Sequence, residues 1–106
     1  MALHHASPSE TVHLASVMDM AHLKSAALVK TDVFEAAQIF LRKGDRIANH
    51  AVPGYATVQC LAGSLILEAP EQIQLGAGDW LYLDRGRPHS FFALEDSSFL
   101  LTVMFE

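Results

Sequence analysis

The chain has 106 residues, a length typical of one domain, and a formal net charge of −5 with only seven lysine and arginine residues. No basic stripe gathers these cations, which argues against binding to nucleic acid or to an anionic membrane surface. The single cysteine excludes an intrachain disulfide.

The N-terminal residues lack a basic segment followed by an apolar one, as a secretory signal would have. No apolar run approaches the roughly 18 residues that a membrane-spanning helix needs. The sequence therefore predicts a soluble protein, and a reducing, cytoplasmic location fits its cysteine content.

Residues 1–25 are predicted to form a partly ordered N-terminal arm. Residues 1–10 contain a proline and two serines and are expected to be mobile. Residues 11–25 are ambiguous, because they fit a short strand followed by one helical turn that begins at Asp19 as its N-cap.

Residues 26–106 have the pattern of an all-β domain. All six glycines lie between residues 44 and 86, and three of the prolines separate apolar runs, where a missing N–H costs no ladder hydrogen bond. Short strands at close spacing are typical of a sandwich or barrel rather than of βαβ units. The predicted strands are 26–31, 33–42, 55–61, 64–69, 71–75, 79–83, 89–94 and 98–105.

Two segments carry glycine and histidine at fixed spacing. In the first, residues 44–63, Gly44 is followed by five residues and then His50, and the segment closes at a glycine. In the second, residues 78–93, the run GDWLYLDRGRPH ends at His89. These segments resemble the paired motifs of the cupin superfamily. The resemblance implies a single cupin domain, a double-stranded β-helix or jelly-roll-like barrel, whose motif glycines reverse the chain at positive φ.

The resemblance also implies that the metal site is degenerate. Metal-binding cupins hold a divalent ion with three histidines and a glutamate. Carried over by position, the first and last histidines are His50 and His89. The second histidine falls on Val52 and the glutamate on Ala56. Two imidazoles can hold zinc, nickel, manganese or iron only weakly.

Strand alternation predicts which side chains line the barrel lumen. Cys60 shares a side with Ala56 and Val58, either as a third metal ligand or as a small buried hydrophobe. Aromatic residues would complete a mostly apolar pocket, with core packing or a dimer interface as their alternative role. The predicted pocket comprises His50, Val52, Tyr55, Ala56, Val58, Cys60, Trp80, Tyr82, His89 and Phe91.

Arg85 and Arg87 precede the second motif histidine. They are interpreted as solvated loop residues, with contact to a carboxylate at the barrel mouth as the alternative.

Three functions remain open at this point, because cupins host many activities. The favoured one is binding of a small organic ligand in the lumen. The second is a metal-dependent enzyme, for which the resemblance implies oxygenase, isomerase or decarboxylase chemistry on a partial site of two histidines. The third is a structural or regulatory homodimer, suggested by the high apolar fraction, with the strands before Gly44 as the interface.

Overall fold

The structure is a computed structural model that describes residues 5–18 and 24–106. In this part of the chain, nine strands form two antiparallel sheets that face each other. The predicted all-β class is confirmed. The strands are β1 Ala26–Lys30, β2 Phe34–Leu41, β3 Arg46–His50, β4 Ala56–Ala62, β5 Ser64–Glu68, β6 Gln72–Gly76, β7 Trp80–Leu83, β8 His89–Ala93 and β9 Ser97–Met104.

The five-stranded sheet has the order β1-β2-β9-β4-β7, and the four-stranded sheet has the order β3-β8-β5-β6. Apart from the consecutive pairs β1-β2 and β5-β6, neighbours in each sheet come from distant parts of the sequence, as in a jelly roll. Eight of the strands lie close to their predicted positions. Strand β3 was not predicted, because only Ile47 on it is partly buried and it carries no apolar alternation.

The core lies between the two sheets. Alternate residues of β4, β8 and β9 point inward, as the burial pattern of β4 shows for Ala56, Val58 and Cys60. Phe91 on β8 and Phe99 on β9 join the two sheets, with ring centroids 4.7 Å apart. Both rings are fully buried.

The arm residues 5–18 lie against the five-stranded sheet without forming a strand themselves. Ala6 donates its N–H to Leu28 of β1 (2.7 Å), and the side chain of Gln38 donates to the Ala15 carbonyl (2.9 Å). The expected strand within residues 11–18 does not form, and the expected cap at Asp19 lies outside the described residues. Among those residues, no helix is long and apolar enough to cross a membrane.

The arm lies on part of the predicted dimer interface, because Ala6 is hydrogen-bonded to the edge strand β1. The outer side chains of β2 that lie beside it, Phe34 and Phe40 among them, remain only half-buried. The homodimer stays a prediction, and light scattering that reports a monomer at micromolar concentration would remove it.

Four motif glycines adopt positive φ, as the resemblance predicted: Gly44, Gly63, Gly78 and Gly86. At Gly63, which links β4 to β5, a Cβ would also press on the Ser97 hydroxyl and the Asp96 carbonyl. That hydroxyl is already engaged, because it accepts the Ser64 N–H (3.0 Å). The site therefore has no room for a side chain.

We expect Gly63→Ala to lower the free energy of unfolding by about 3 kcal/mol, from backbone strain and overpacking together. Gly44→Ala is the matched control, because Gly44 has a similar φ with nothing within 4 Å of its Cβ position. It should cost about 1–2 kcal/mol. Urea unfolding measures both. Equal losses would show that the close approach at Gly63 contributes nothing.

Candidate functional site

A β-bulge brings the two motif histidines together. Strand β3 pairs with β8, with Ile47 opposite Phe91 and His50 opposite His89. Three residue steps on β3 therefore match two steps on β8, and the register shifts between these pairs. A strict alternation would point His50 away from Ile47, so the extra residue turns its ring back toward the lumen. The ring centroids of His50 and His89 lie 4.4 Å apart, with the planes at 60°.

Each ring is oriented by its own backbone. The Nδ1 atom of His50 lies 3.2 Å from the Ala48 carbonyl, and the Nδ1 atom of His89 lies 3.2 Å from the Arg87 carbonyl. A carbonyl oxygen only accepts, so each Nδ1 carries the proton and donates it. In a neutral ring this leaves Nε2 as a bare acceptor. Both histidines therefore present the same tautomer.

The two rings differ in burial. His50 is exposed, whereas the side chain of His89 is only 1 % exposed. The Nε2 atom of His89 is buried and has no hydrogen-bond partner among the described residues. An unpaired buried acceptor costs about 1–3 kcal/mol, and such atoms are rare outside functional sites.

Burial lowers the pKa of His89 below the usual imidazole range. The hydrogen bond to the Arg87 carbonyl opposes this effect, and the nearby ring of His50 adds to it. His89 is therefore neutral near pH 7, which keeps the Nε2 lone pair free.

The surroundings of His89 in the lumen are apolar. The ring of Phe91 meets His89 edge-on at 5.5 Å. Ala56 and Val58 are buried in the same core, and Val52 packs against it while half-buried. These four predicted residues lie in or against the core, as strand alternation indicated for Ala56 and Val58.

Three predicted aromatic residues lie elsewhere. Trp80 and Tyr82 are 56 % and 62 % exposed, because Leu81 and Leu83 occupy the inner positions of β7 opposite Val58 and Ala56. Tyr55 is also exposed and meets Tyr82 at 6.1 Å. The assignment of Trp80 and Tyr82 to the lumen was wrong, since alternation says which residues share a side but not which side is inside. An indole or phenol ring tolerates partial exposure better than leucine does. This preference could have indicated that the two leucines of β7, rather than its aromatic residues, face the core.

The donor set does not fit a tightly held metal. Within the described residues, no group of three or more histidine, cysteine or acidic side chains is placed to hold an ion. Cys60 does not complete the pair: burial raises the pKa of its thiol, which donates weakly to the Ala62 carbonyl (3.5 Å). A thiol binds metal as the thiolate, so the structural interpretation of Cys60 as a buried small hydrophobe is favoured.

Described residues also border cavities away from the histidine pair. One of about 490 Å³ is bordered by Tyr55, Tyr82 and Ile73 at one end of the sandwich. Another, of about 770 Å³, lies beside the loop 84–88 that leads into β8. The larger cavity was not predicted as a pocket, because its residues come from three separate segments, although contact of Arg85 and Arg87 with a carboxylate was the alternative interpretation of that loop.

No protein-family model and no curated protein match the sequence. The fold does resemble solved structures. A conserved protein of unknown function from Streptococcus pyogenes is 23 % identical with a TM-score of 0.79, covering 100 % of this chain and 98 % of its own. A cupin superfamily protein from Desulfitobacterium hafniense DCB-2 is 17 % identical with a TM-score of 0.75, covering 77 % and 76 %.

The polyketide cyclase RemF from Streptomyces resistomycificus is also similar, at 21 % identity and a TM-score of 0.66, covering 77 % of this chain and 64 % of its own. At these identities the similarity concerns the fold. The protein of unknown function and the cyclase show that the same architecture occurs under different names.

We expect the stability of the protein to fall as the pH drops below about 7. The pKa of His89 is lower in the folded state, so the unfolded chain, with a histidine pKa of about 6.5, binds more protons over this range. One such group contributes a slope of at most about 1.4 kcal/mol per pH unit. His89→Gln should flatten the dependence in urea unfolding, whereas His13→Gln, which changes an exposed arm histidine, should leave it unaltered. An unchanged slope in His89→Gln would contradict the assignment.

Proposed function

We propose that this protein, which has the cupin fold that its sequence motifs predicted, binds a small organic molecule through His50 and His89. The observation that carries the proposal is the bare Nε2 atom of His89, which is buried beside a second imidazole and has no partner in the described part of the chain. An acceptor in that position is satisfied by a hydrogen-bond donor from outside the chain.

The surroundings define the class of ligand. The Nε2 atom accepts, so the ligand donates, through a hydroxyl group, an N–H or a protonated acid. The adjacent ring of Phe91 favours an apolar body. His50 is the exposed member of the pair and lies against His89, so the ligand would reach Nε2 from the side of His50. The ligand is therefore small, mostly apolar and equipped with one donor.

Phenol and toluene form a matched pair of probes, since they share a ring and differ in the donor. We expect phenol to bind more tightly than toluene and to shift the imidazole ¹⁵N resonances of His89. His89→Phe, which keeps a ring, should weaken phenol binding by about fivefold, the loss of one hydrogen bond.

Trp80→Ala is the control variant for this titration, because Trp80 lies on the outer surface of β7. It should bind phenol as the natural protein does. Equal binding of phenol and toluene, or an effect of Trp80→Ala as large as that of His89→Phe, would count against the site.

A metal-dependent enzyme of the oxygenase, isomerase or decarboxylase type is the second candidate. It is favoured by the Nδ1 hydrogen bonds to Ala48 and Arg87, since metal-binding imidazoles usually donate their other nitrogen in this way. The missing third ligand limits this candidate to a weakly held divalent metal.

We expect zinc or nickel to bind weakly to the natural protein, and Val52→His combined with Ala56→Glu to strengthen binding by orders of magnitude if both backbone positions face the pair. Binding should weaken below about pH 6.5, because a coordinating imidazole must be neutral. Calorimetry measures both proteins. A folded double variant with no gain in affinity would remove the metal candidate and leave ligand binding in place.

A cytoplasmic location and the absence of nucleic-acid or membrane partners stay predictions from composition. Cell fractionation tests the first, and a gel-shift titration tests the second.

A further inference from the structure

The larger cavity lies on the outer side of the four-stranded sheet. Its lining includes Ser90, which follows His89 on β8 and therefore points to the opposite face of the sheet. Glu68, opposite Ser90 on β5, also lines it. The cavity is thus separate from the histidine pair. Its volume of about 770 Å³ lies within the range of small-molecule sites.

Three arginines line this cavity: Arg46, Arg85 and Arg87. They are three of the seven basic residues in a chain with a net charge of −5. Two carboxylates share the lining, Glu68 and Asp84, so the local balance is one positive charge. In physiological salt, charges farther than about 8 Å are largely screened, so an anion in the cavity is affected mainly by the charges that line it. A cationic cleft focuses that local field and attracts an anion even in a protein whose net charge is negative.

The three guanidinium groups are restrained in different ways. Arg46 is paired with Glu68 at 3.1 Å. The Arg85 guanidinium stacks over the ring of Tyr55 at 4.9 Å, and Arg87 donates one N–H to the Ala69 carbonyl at 3.3 Å. In the part of the chain that the structure describes, neither Arg85 nor Arg87 has a carboxylate partner.

These restraints leave most of the guanidinium donors unused. Each guanidinium has five N–H donors. Arg87 uses one of them for the Ala69 carbonyl, and Arg85 uses none for a carboxylate. A planar group fixed by stacking loses little side-chain entropy on binding. Asn49 and Ser90 add neutral polar groups to the same lining. The arrangement suits an oxyanion that accepts paired N–H bonds.

We propose that this cavity binds a small organic molecule through a carboxylate or phosphate group held by Arg85 and Arg87. Asp84 and Glu68 are placed to accept hydrogen bonds from hydroxyl or amine groups on the rest of the molecule. The site is independent of His50 and His89, and it stands whether or not the histidine pair binds a ligand.

The test is a titration of the full chain with inorganic phosphate and, separately, with succinate, followed by amide ¹H–¹⁵N shifts at constant ionic strength made up with sodium chloride. We expect saturable shifts confined to residues 84–90 and the segments around Arg46 and Glu68. The anion whose shifts saturate at the lower concentration identifies the preferred group, phosphate or carboxylate.

Arg85→Gln and Arg87→Gln should each weaken binding by about tenfold, the loss of a charge-assisted contact. Arg42→Gln is the matched control, because Arg42 is an exposed arginine in the turn after β2 and lies outside the cavity. It should bind as the natural protein does. Arg87→Lys keeps the charge and removes the planar fork, so it should also weaken binding while retaining the fold.

Thermal unfolding checks that each variant is folded. Shifts that fail to saturate with both anions, or an equal loss in Arg42→Gln, would overturn the proposal, since either result indicates general charge screening. Weakening by Arg87→Lys as strong as by Arg87→Gln supports bidentate recognition. Unchanged binding in both Arg87 variants overturns the assignment to this cavity.

Discussion

The rings of Phe91 and Phe99 meet at the centre of the barrel with their centroids 4.7 Å apart and their planes 30° apart. One ring belongs to each sheet, and neither is accessible to solvent. His89 lies two residues before Phe91 on the same side of β8 and touches its ring, and His50 touches His89 in turn. Four rings thus form a column from the five-stranded sheet to the barrel mouth. The position of the two motif imidazoles depends on this packing, because an aromatic core fixes its neighbours at close to crystalline density.

The bulge on β3 adds the second constraint. It sets His50 opposite His89, and the Ala48 and Arg87 carbonyls then fix the tautomer of each ring. The result is a pair of imidazoles that present acceptors, while residues 5–18 and 24–106 supply no donor to the buried one. Arg87 contributes to both candidate sites, since its carbonyl holds His89 and its side chain lines the cavity on the other face of the sheet. The short loop before β8 therefore helps to place the His89 ring on one side of that strand and the Arg87 side chain on the other.

Much of the fold could be predicted from the sequence, because glycines at turns and apolar alternation report on local backbone geometry and burial. The inward side of β4 followed from alternation at Ala56, Val58 and Cys60. The residue pattern of β3 did not indicate a strand, since an exposed edge strand needs no apolar face. The wrong face was assigned to Trp80 and Tyr82, because the sequence fixes the period of a strand but its pairing partner fixes the inward side. Contact of Arg85 and Arg87 with a carboxylate was foreseen as an alternative, but the cavity itself was not, as it joins segments that only the tertiary structure brings together.

We propose that both motif histidines present a bare Nε2 atom to a shared site. Long-range ¹H–¹⁵N correlation spectra of the histidine side chains at pH 7 test this arrangement directly. We expect His89 to be neutral and protonated at Nδ1, with Nε2 resonating as an unprotonated nitrogen. A spectrum in which His89 carries its proton on Nε2, or is doubly protonated at pH 7, would contradict it.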